Sequence, residues 1–304
     1  MLLTAGIIVV SIAVSLAVIA VRQGADAPGR AFEGPSVARH YLPRQPYPLY
    51  LDPDCAELGD SAHTVARLPG ASALPPEPPP RARGTLVFVI DDAGHNMHDL
   101  EPFLRLPFPL TIAVLPGLSH SAEAAERIRA SGHEAFLHQP MEAVGGEDPG
   151  PGAIYSWMGA EEVLEVLRRN LAEVGPVAGM NNHQGSRITA DARIMETVLA
   201  FSMEQDLPFL DSLTTGASAV GRVARGMGMA TVARDVFIDN DRDRASMERA
   251  IREGLGVAAR QGRAVMIGHA WSPELAPLLA DLYESLAEQG YAFATASQII
   301  RGDF

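Results

Sequence analysis

The feature that most constrains the fold is a regular alternation of apolar runs and helical stretches, which begins at Thr85 and continues to the C-terminus. Eight runs have the dense apolar content of buried strands; they are TLVFVID, LTIAVLP, HEAFLHQ, VAGMNNH, LPFLDS, TVARDVFID, RAVMIGHA and YAFATAS. Five amphipathic stretches between them predict helices; they are SHSAEAAERIRASG, AEEVLEVLRRNLAEVG, ARIMETVLAFSMEQD, RASMERAIREGLGVAARQG and ELAPLLADLYESLAEQG. Strands and helices in this order predict a parallel sheet with right-handed crossovers.

Two α/β architectures accommodate this pattern. A (β/α) barrel fits the length, and we expect seven strands in a barrel that need not be fully closed. An open doubly wound sheet is the alternative.

The first 84 residues differ in composition from the rest. Residues 2–21, LLTAGIIVVSIAVSLAVIAV, carry no charged side chain and are long enough to cross a hydrocarbon core of about 30 Å as a helix. A typical signal peptide begins with a basic region, whereas here no basic side chain precedes Arg22. Residues 1–22 are therefore interpreted as a transmembrane anchor, with a cleaved signal as the alternative. Residues 23–84, rich in Pro, Ala and Gly, predict a disordered linker that leads to a folded domain at 85–304.

The charge balance bears on the class of partner. The formal net charge is -13 and the sequence contains no basic cluster. Binding to nucleic acid requires clustered Lys and Arg, so no nucleic acid partner is expected. The single cysteine, Cys55, cannot form an internal disulfide and indicates little about the compartment.

Polar side chains end six of the predicted strands. They are Asp91 and Asp92; His138; Asn181, Asn182 and His183; Asp211; Asp239 and Asn240; and His269. The carboxyl ends of parallel strands meet at one rim of a barrel, so these side chains should converge. Carboxylate oxygen and neutral imidazole nitrogen are ligands of zinc, and three protein ligands plus water are typical of a catalytic zinc site. The pattern predicts a metal site in which one acid of the Asp91–Asp92 pair binds the cation and the other acts as a base.

Each residue also has a structural interpretation when it is taken singly. Two adjacent acids after a strand are common in turns and helix caps, and a lone His138 could simply form a hydrogen bond at a strand end. Asn182 and Asp211 could satisfy loop backbone groups. Glu142 is intermediate, because it lies four residues after His138 and could reach the same centre. Four other histidines have no comparable support and are interpreted as surface or structural residues; they are His95, His98, His120 and His133.

The segments that contain these residues resemble a known family. FVIDDAG resembles the TFDDG first motif of polysaccharide deacetylases, and SGHEAFLHQPME is similar to their second motif region. Together, IDDAG, LHQPME, NNHQGSRIT, RDVFIDN and IGHA resemble the divergent polysaccharide deacetylase family over residues 84–303. Members of that family are typically exported or membrane-anchored in Gram-negative bacteria. The resemblance therefore implies a location at the inner membrane, with the domain in the periplasm.

The resemblance also implies roles for individual residues. Asp91 resembles the catalytic base, and Asp92 resembles the metal-binding aspartate. His138 matches the first metal histidine, and His269 resembles the histidine that acts as general acid.

The third metal ligand is left open by the resemblance. Where the wider superfamily has a second histidine, this chain has Glu142, so the third ligand is either Glu142 or a residue from elsewhere. His183 is preferred because imidazole is the commoner partner. Asn182 and Asp211 remain possible metal or substrate residues, and NNHQGSR stands in place of the usual arginine–proline third motif.

The function implied is that of a metal-dependent hydrolase, with Zn²⁺ as the expected metal, acting on N-acetylated envelope polysaccharide such as a peptidoglycan-type glycan. The alternative is a catalytically inactive protein of the cell envelope that binds metal or glycan on the same fold. Trp157 and Trp271 are candidates for stacking against sugar, with packing on the barrel rim as an equal alternative.

Overall fold

The computed structural model describes residues 83–303. The predicted anchor at 1–22 and the predicted linker, apart from its last two residues, lie outside the described residues. Within the described part of the chain, no helix combines the length and the apolar character needed to cross a membrane.

The described residues form one sheet of nine strands with eight helices. The strands are β1 (Gly84–Ala93), β2 (Thr111–Val114), β3 (Glu134–Met141), β4 (Gly179–Gln184), β5 (Phe209–Asp211), β6 (Thr231–Ala233), β7 (Val236–Phe237), β8 (Arg263–His269) and β9 (Tyr291–Phe293). The helices are α1 (Met97–Leu104), α2 (Ser121–Ala130), α3 (Ala160–Val174), α4 (Ala192–Glu204), α5 (Val220–Met227), α6 (Arg244–Gln261), α7 (Leu275–Glu288) and α8 (Ala296–Arg301).

The strands follow the order of a barrel. Every strand pair is parallel, and eight strands lie in the row β6-β5-β4-β3-β2-β1-β8-β7, while β9 pairs with the start of β1. From β1 the row runs through β2 to β6 in one direction and through β8 to β7 in the other. Around a barrel, the strands therefore follow their order along the chain, without the reversal of strand order that defines a doubly wound sheet. The sheet is therefore a curled (β/α) barrel, and β6 and β7 form its two edges.

The row has eight strands instead of the expected seven because one predicted run contains two strands, and the last run, YAFATAS, forms β9 outside the row. In TVARDVFID, the chain leaves the edge beside β5 and joins the edge beside β8 within two residues. The amide of Arg234 donates to the carbonyl of Asp211 at 2.9 Å, and that of Asp235 donates to the carbonyl of Val265 at 2.8 Å. The segment therefore divides into β6 and β7 at the opening of the barrel.

Three helices begin at a side-chain cap. The side chain of Asn96 accepts a hydrogen bond from the first turn of α1, and Asp191 and Asp243 do the same for α4 and α6. A capped helix end satisfies an amide that would otherwise have no partner, which typically contributes about 1 kcal/mol.

Apolar side chains fill both sides of the sheet. Along β1, Leu86, Phe88 and Ile90 belong to the cluster shared with the surrounding helices, whereas Val87 and Val89 belong to a second cluster. The second cluster also holds interior residues from other strands and from α8; they are Ala113, Phe136, Leu210, Val232, Val265, Ile267, Ala296, Ile299 and Ile300. The interior is thus a packed core covered at one end by α8, and the opposite rim carries the polar strand ends.

Candidate active site

The pleat of the strands decides which polar side chains face the barrel interior. Residues two positions apart share a face of a strand. Val87 and Val89 lie in the interior cluster, and Asp91 continues this series at the end of β1. The same spacing and register bring three more polar side chains to this rim; they are His138 on β3, Asn181 on β4 and His269 on β8.

Asp92 reaches the same rim by a different route. Its backbone has φ 64°, a left-handed conformation that is uncommon for a residue other than glycine. In a regular strand, Asp92 would face away from Asp91. The turn in the backbone instead brings its carboxylate to His138 and His183.

Three ligand atoms form a compact triangle. Asp92 Oδ1 lies 3.0 Å from His183 Nδ1 and 3.3 Å from His138 Nε2. The two imidazole nitrogens lie 3.2 Å from each other. Asp92 Oδ1 is buried, yet neither imidazole donates to it with hydrogen-bond geometry. Among the described residues, Asp92, His138 and His183 form the group whose ligand atoms lie close enough together to surround one cation.

The dimensions of the triangle fit a divalent metal. Zinc binds nitrogen and carboxylate oxygen at about 2.0 to 2.2 Å, so the edge of its tetrahedron is about 3.3 to 3.6 Å. The observed separations of 3.0 to 3.3 Å approach this edge. Three protein ligands leave the fourth position for water or substrate, which is the arrangement of catalytic zinc sites.

Asn181 orients both a candidate ligand and the candidate base. Its Nδ2 donates to Asp91 Oδ1 at 2.8 Å, and its Oδ1 lies 2.8 Å from His138 Nδ1. An oxygen cannot donate, so Nδ1 of His138 carries a proton, and in the neutral ring the lone pair is then on Nε2. The lone pair of Nε2 therefore points into the triangle, as a metal ligand requires.

The acids and imidazoles at the rim influence each other strongly. Burial raises the pKa of Asp91, although His138, His269 and the hydrogen bond from Asn181 oppose this shift. Burial also acts to raise the pKa of Asp92, but the adjacent imidazoles of His138 and His183, whose charged forms attract the carboxylate, hold it well below its usual range. Burial acts to lower the pKa of His138, but the charges of Asp91 and Asp92 raise it, so carboxylates and imidazole stabilise each other's charged forms. A divalent cation would compete with protons for these ligand atoms.

His269 belongs to a second pair. Its Nδ1 lies 2.9 Å from Asp239 Oδ1, and its backbone amide donates to Asp239 Oδ2 at 2.9 Å. Burial acts to lower the pKa of His269, but the hydrogen bond and charge of Asp239, with smaller effects from Asp91 and Asp92, raise it to about 9. The ring is therefore protonated at neutral pH, with Nε2 as the nitrogen that does not face Asp239.

Aromatic rings hold this imidazole in place. The ring of His269 stacks on Trp271 with centroids 4.9 Å apart and on Phe237 with centroids 5.9 Å apart. The indole of Trp271 also donates to Asp92 Oδ2 at 2.9 Å. Trp271, 37% exposed, thus contacts both the triangle and the His269–Asp239 pair.

The structure places Glu142 outside the triangle. One of its carboxylate oxygens lies 3.0 Å from Arg187 Nε, and the other accepts from the amide of Ser156 at 2.7 Å. Of the two candidates for the third ligand, His183 is the one that the structure brings to Asp92 and His138.

Like Glu142, Asn182 and Asp211 form hydrogen bonds with loop residues. Asn182 accepts from the amide of Ser212 at 2.9 Å and donates to the carbonyl of Gln184 at 2.8 Å. Asp211 accepts from the hydroxyl of Ser218 at 2.6 Å. Both residues lie one position from an interior side chain, so the pleat directs them away from the barrel axis.

Three residues in or beside the site have no role that follows from the sequence. Asn181 and Asp239 were recognisable only as polar strand ends, and His95 only as an isolated histidine. The exposed His95 lines two cavities, of about 320 Å³ beside Asp92 and about 150 Å³ beside His183. In the sequence, only their position at strand ends points to Asn181 and Asp239. Their hydrogen-bond partners depend on the register between strands.

Comparison with known proteins identifies the family. Residues 88–300, well over half of the chain, match the family model described as divergent polysaccharide deacetylase. The chain is 32% identical over 190 residues to the uncharacterized protein YibQ of Escherichia coli (strain K12), across 62% of this chain and 60% of that relative. The match therefore spans less than two thirds of the length of YibQ. An uncharacterized protein of Haemophilus influenzae is 29% identical over 201 residues, across 66% of this chain and 72% of that relative.

A solved structure has the same fold. The uncharacterized protein ATU2773 of Agrobacterium tumefaciens C58 superposes with a TM-score of 0.69 at 22% identity, over 74% of this chain and 92% of that chain. The order of the motif residues, the parallel barrel and the match over residues 88–300 all agree. The chain belongs to the divergent polysaccharide deacetylase family.

Proposed function

We propose that this protein is a metal-dependent hydrolase that removes acetyl groups from N-acetylated polysaccharide of the bacterial cell envelope. The observation that carries the proposal is the triangle of Asp92, His138 and His183, with Asp91 and His269 at neighbouring positions beside it. A ligand triangle, a carboxylate and a protonated imidazole at one rim are the groups that amide hydrolysis requires.

The ligand atoms of Asp92, His138 and His183 would hold the metal. A divalent metal there, with Zn²⁺ as our proposal, would polarise the acetyl carbonyl and make the attacking water more acidic. Zinc suits this donor set because two imidazoles and one carboxylate are common ligands of catalytic zinc.

Asp91 is suited to accept the proton of the attacking water. Its carboxylate is buried at the rim, and Asn181 holds one oxygen by a hydrogen bond. Asp91 Oδ2 lies 3.6 Å from His138 Nε2 and so borders the triangle. Removal of a proton by such a base contributes about 10²- to 10⁴-fold to a rate.

His269 is suited to protonate the departing amine. Asp239 binds Nδ1, so Nε2 is the nitrogen from which the proton would be donated. The pKa of about 9 keeps the ring protonated at neutral pH. Because Asp91 and His269 are register partners on β1 and β8, both can reach one substrate at the rim.

We also propose a location at the inner membrane, with the barrel in the periplasm. The uncharged apolar stretch at residues 2–21 supports an anchor, and the Pro-rich segment that follows supports a spacer toward the glycan layer. An envelope glycan would be within reach of a domain held in this way.

The experiment is an acetate-release assay with full-length protein on a panel of N-acetylated glycans, run with Asp91→Asn and with Glu142→Gln as the control. The metal content of each protein is measured in parallel. We expect metal-dependent release that falls at least about 10²-fold in Asp91→Asn with the metal retained. Glu142→Gln should keep its metal.

The same experiment would give a different result for the alternative function. Bound metal in the wild type, with no acetate released from any glycan of the panel, would identify a metal-binding envelope protein without turnover. Loss of metal in Glu142→Gln would contradict the proposed ligand set.

A further inference from the structure

We propose that Trp157 and Tyr155 form a binding platform for a sugar ring of an extended glycan chain, at a distance from the triangle of Asp92, His138 and His183. The proposal depends on the proposed function only for the class of ligand. It implies that the enzyme prefers long glycans to short ones.

Trp157 is the most exposed of the large apolar side chains in the described residues. Its side chain is 70% exposed, and its ring stacks on Tyr155 with centroids 6.1 Å apart and an angle of 10° between the planes. Tyr155 thus supports the indole from one side, and the exposed indole offers a flat face to a ligand. Exposed apolar residues are common singly, so exposure alone carries no conclusion.

The loop that presents Trp157 is held on both sides of it. Arg193 donates to the carbonyl of Ser156 and to that of Met158, each at 3.2 Å. Glu142 accepts from the amide of Ser156 at 2.7 Å. A single guanidinium therefore binds the carbonyls of the two residues that flank Trp157.

Neighbouring apolar residues complete the anchor. Ile154 is fully buried and bonds to the end of β3 through its amide and its carbonyl. Met158 packs against the core cluster between helices and sheet. Because both neighbours point inward, Trp157 points outward in a backbone that cannot easily turn it into the core. The loop therefore keeps the apolar face of the indole in water, and a ligand that covered this face would gain free energy from its burial.

The charges around the platform favour a neutral ligand. Arg187 pairs with Glu142 at 3.0 Å, and Arg193 pairs with Asp191 at 3.4 Å. Both arginines therefore already have an acidic partner, and neither is an unpaired positive charge that would attract a polyanion. The apolar C–H face of a pyranose ring matches an aromatic face, and the hydroxyl of Tyr155 could bond to a sugar hydroxyl.

The platform lies on the same rim as the triangle. It belongs to the loop that follows β3, and His138 lies on that strand. From His138 to Glu142, which holds the loop, four extended residues span about 13 Å. We therefore expect an extended chain, and not a single sugar, to reach from the triangle to the platform.

The test compares acetate release by full-length wild type and Trp157→Ala on N-acetylglucosamine oligomers, from the dimer to the hexamer. Met203→Ala is the matched control, since Met203 is another exposed apolar residue, 46% exposed, on α4. We expect KM for the hexamer to rise about tenfold in Trp157→Ala, with kcat and all dimer constants unchanged. Unchanged hexamer constants, or an equal loss on dimer and hexamer, would overturn the proposal.

A binding measurement separates this proposal from the proposed function. The chain has two tryptophans, so Trp271→Phe leaves Trp157 as its sole indole. Titration of that variant with the hexamer should shift the fluorescence of Trp157 whether or not acetate is released. A shift in the variant, with no turnover by the wild type, would support the platform and contradict the enzyme. Turnover by the wild type, with no shift in the variant, would do the reverse.

Discussion

Trp271 Nε1 donates a hydrogen bond of 2.9 Å to Asp92 Oδ2, which joins two residues 179 positions apart in the chain. This bond occupies one carboxylate oxygen and leaves Oδ1 to face His138 and His183. The same indole stacks on His269. Trp271 therefore fixes the carboxylate of the candidate metal site and the imidazole of the candidate acid at once.

Trp271→Phe should weaken metal binding. Phenylalanine keeps an aromatic ring but cannot donate, so the carboxylate of Asp92 is free to rotate. Loss of such an outer hydrogen bond typically lowers metal affinity about 10- to 100-fold. Titration of metal-free protein with Zn²⁺ measures the change, and Trp157→Phe serves as the control. Equal affinities in Trp271→Phe and wild type would show that the hydrogen bond does not orient Asp92.

Two substitutions of Asn181 should separate metal binding from catalysis. Asn181→Asp keeps an oxygen for Nδ1–H of His138 but loses the donor to Asp91 and places a like charge beside it. We expect metal binding within a few-fold of wild type and acetate release lower by about 10²-fold. Asn181→Leu removes both hydrogen bonds and should lower metal affinity about 10- to 100-fold as well.

Metal affinity and acetate release are measured separately for each Asn181 variant. If Asn181→Asp loses its metal as fully as Asn181→Leu, then Asn181 supports the fold of the rim rather than the orientation of His138. Circular dichroism of both variants checks that the barrel is intact.

Asp239→Asn should move the basic limb of the pH profile to lower pH. The hydrogen bond and charge of Asp239 raise the pKa of His269 to about 9. A general acid works only while it is protonated, so activity falls as the pH rises through that pKa. Asparagine removes the charge, the pKa of His269 falls, and kcat/KM should decline at a lower pH than in wild type. A basic limb that stays in place would rule out His269 as the titrating acid.

Gly179→Ala should destabilise the barrel. An added Cβ would lie 2.4 Å from Phe136 Cζ and 2.8 Å from the carbonyl oxygen of Pro208. Overpacking of this kind typically costs about 1 to 3 kcal/mol. Urea unfolding measures the free energy, with Gly216→Ala as the control because its Cβ would meet no atom within 4 Å. A loss no larger than in the control would mean that Phe136 can move aside.

Much of the fold follows from local pattern. Each of the eight apolar runs contains a strand, and the five amphipathic stretches contain α2, α3, α4, α6 and α7. Three short helices were not predicted. α1 and α5 have eight residues each, with Pro102 inside α1, and α8 has six. Helices of this length show too few turns for a periodic pattern, and tertiary packing stabilises them.

For the candidate site, some side-chain positions follow from the sequence and others only from the structure. The alternation of side chains along a strand already places Asp91, His138 and His269 on the interior face once the strands are known. The same rule explains why Asn182 and Asp211, at neighbouring positions, bond to loops. Asp92 breaks the rule, since only its left-handed backbone brings it to the triangle.

The amino-acid sequence by itself determined a parallel sheet of alternating strands and helices, the polar ends of its strands and the family, because these depend on the order and spacing of residue types along the chain. The tertiary structure decided that the sheet is a barrel, that His183 and not Glu142 meets His138, and that Asn181, Asp239 and Trp271 contact the candidate ligands, base and acid. These contacts depend on strand register, as in the pairing of Pro140 with His183, and on one backbone turn at Asp92. Register and backbone conformation are set by the packing of the whole sheet, so no local stretch of sequence contains them.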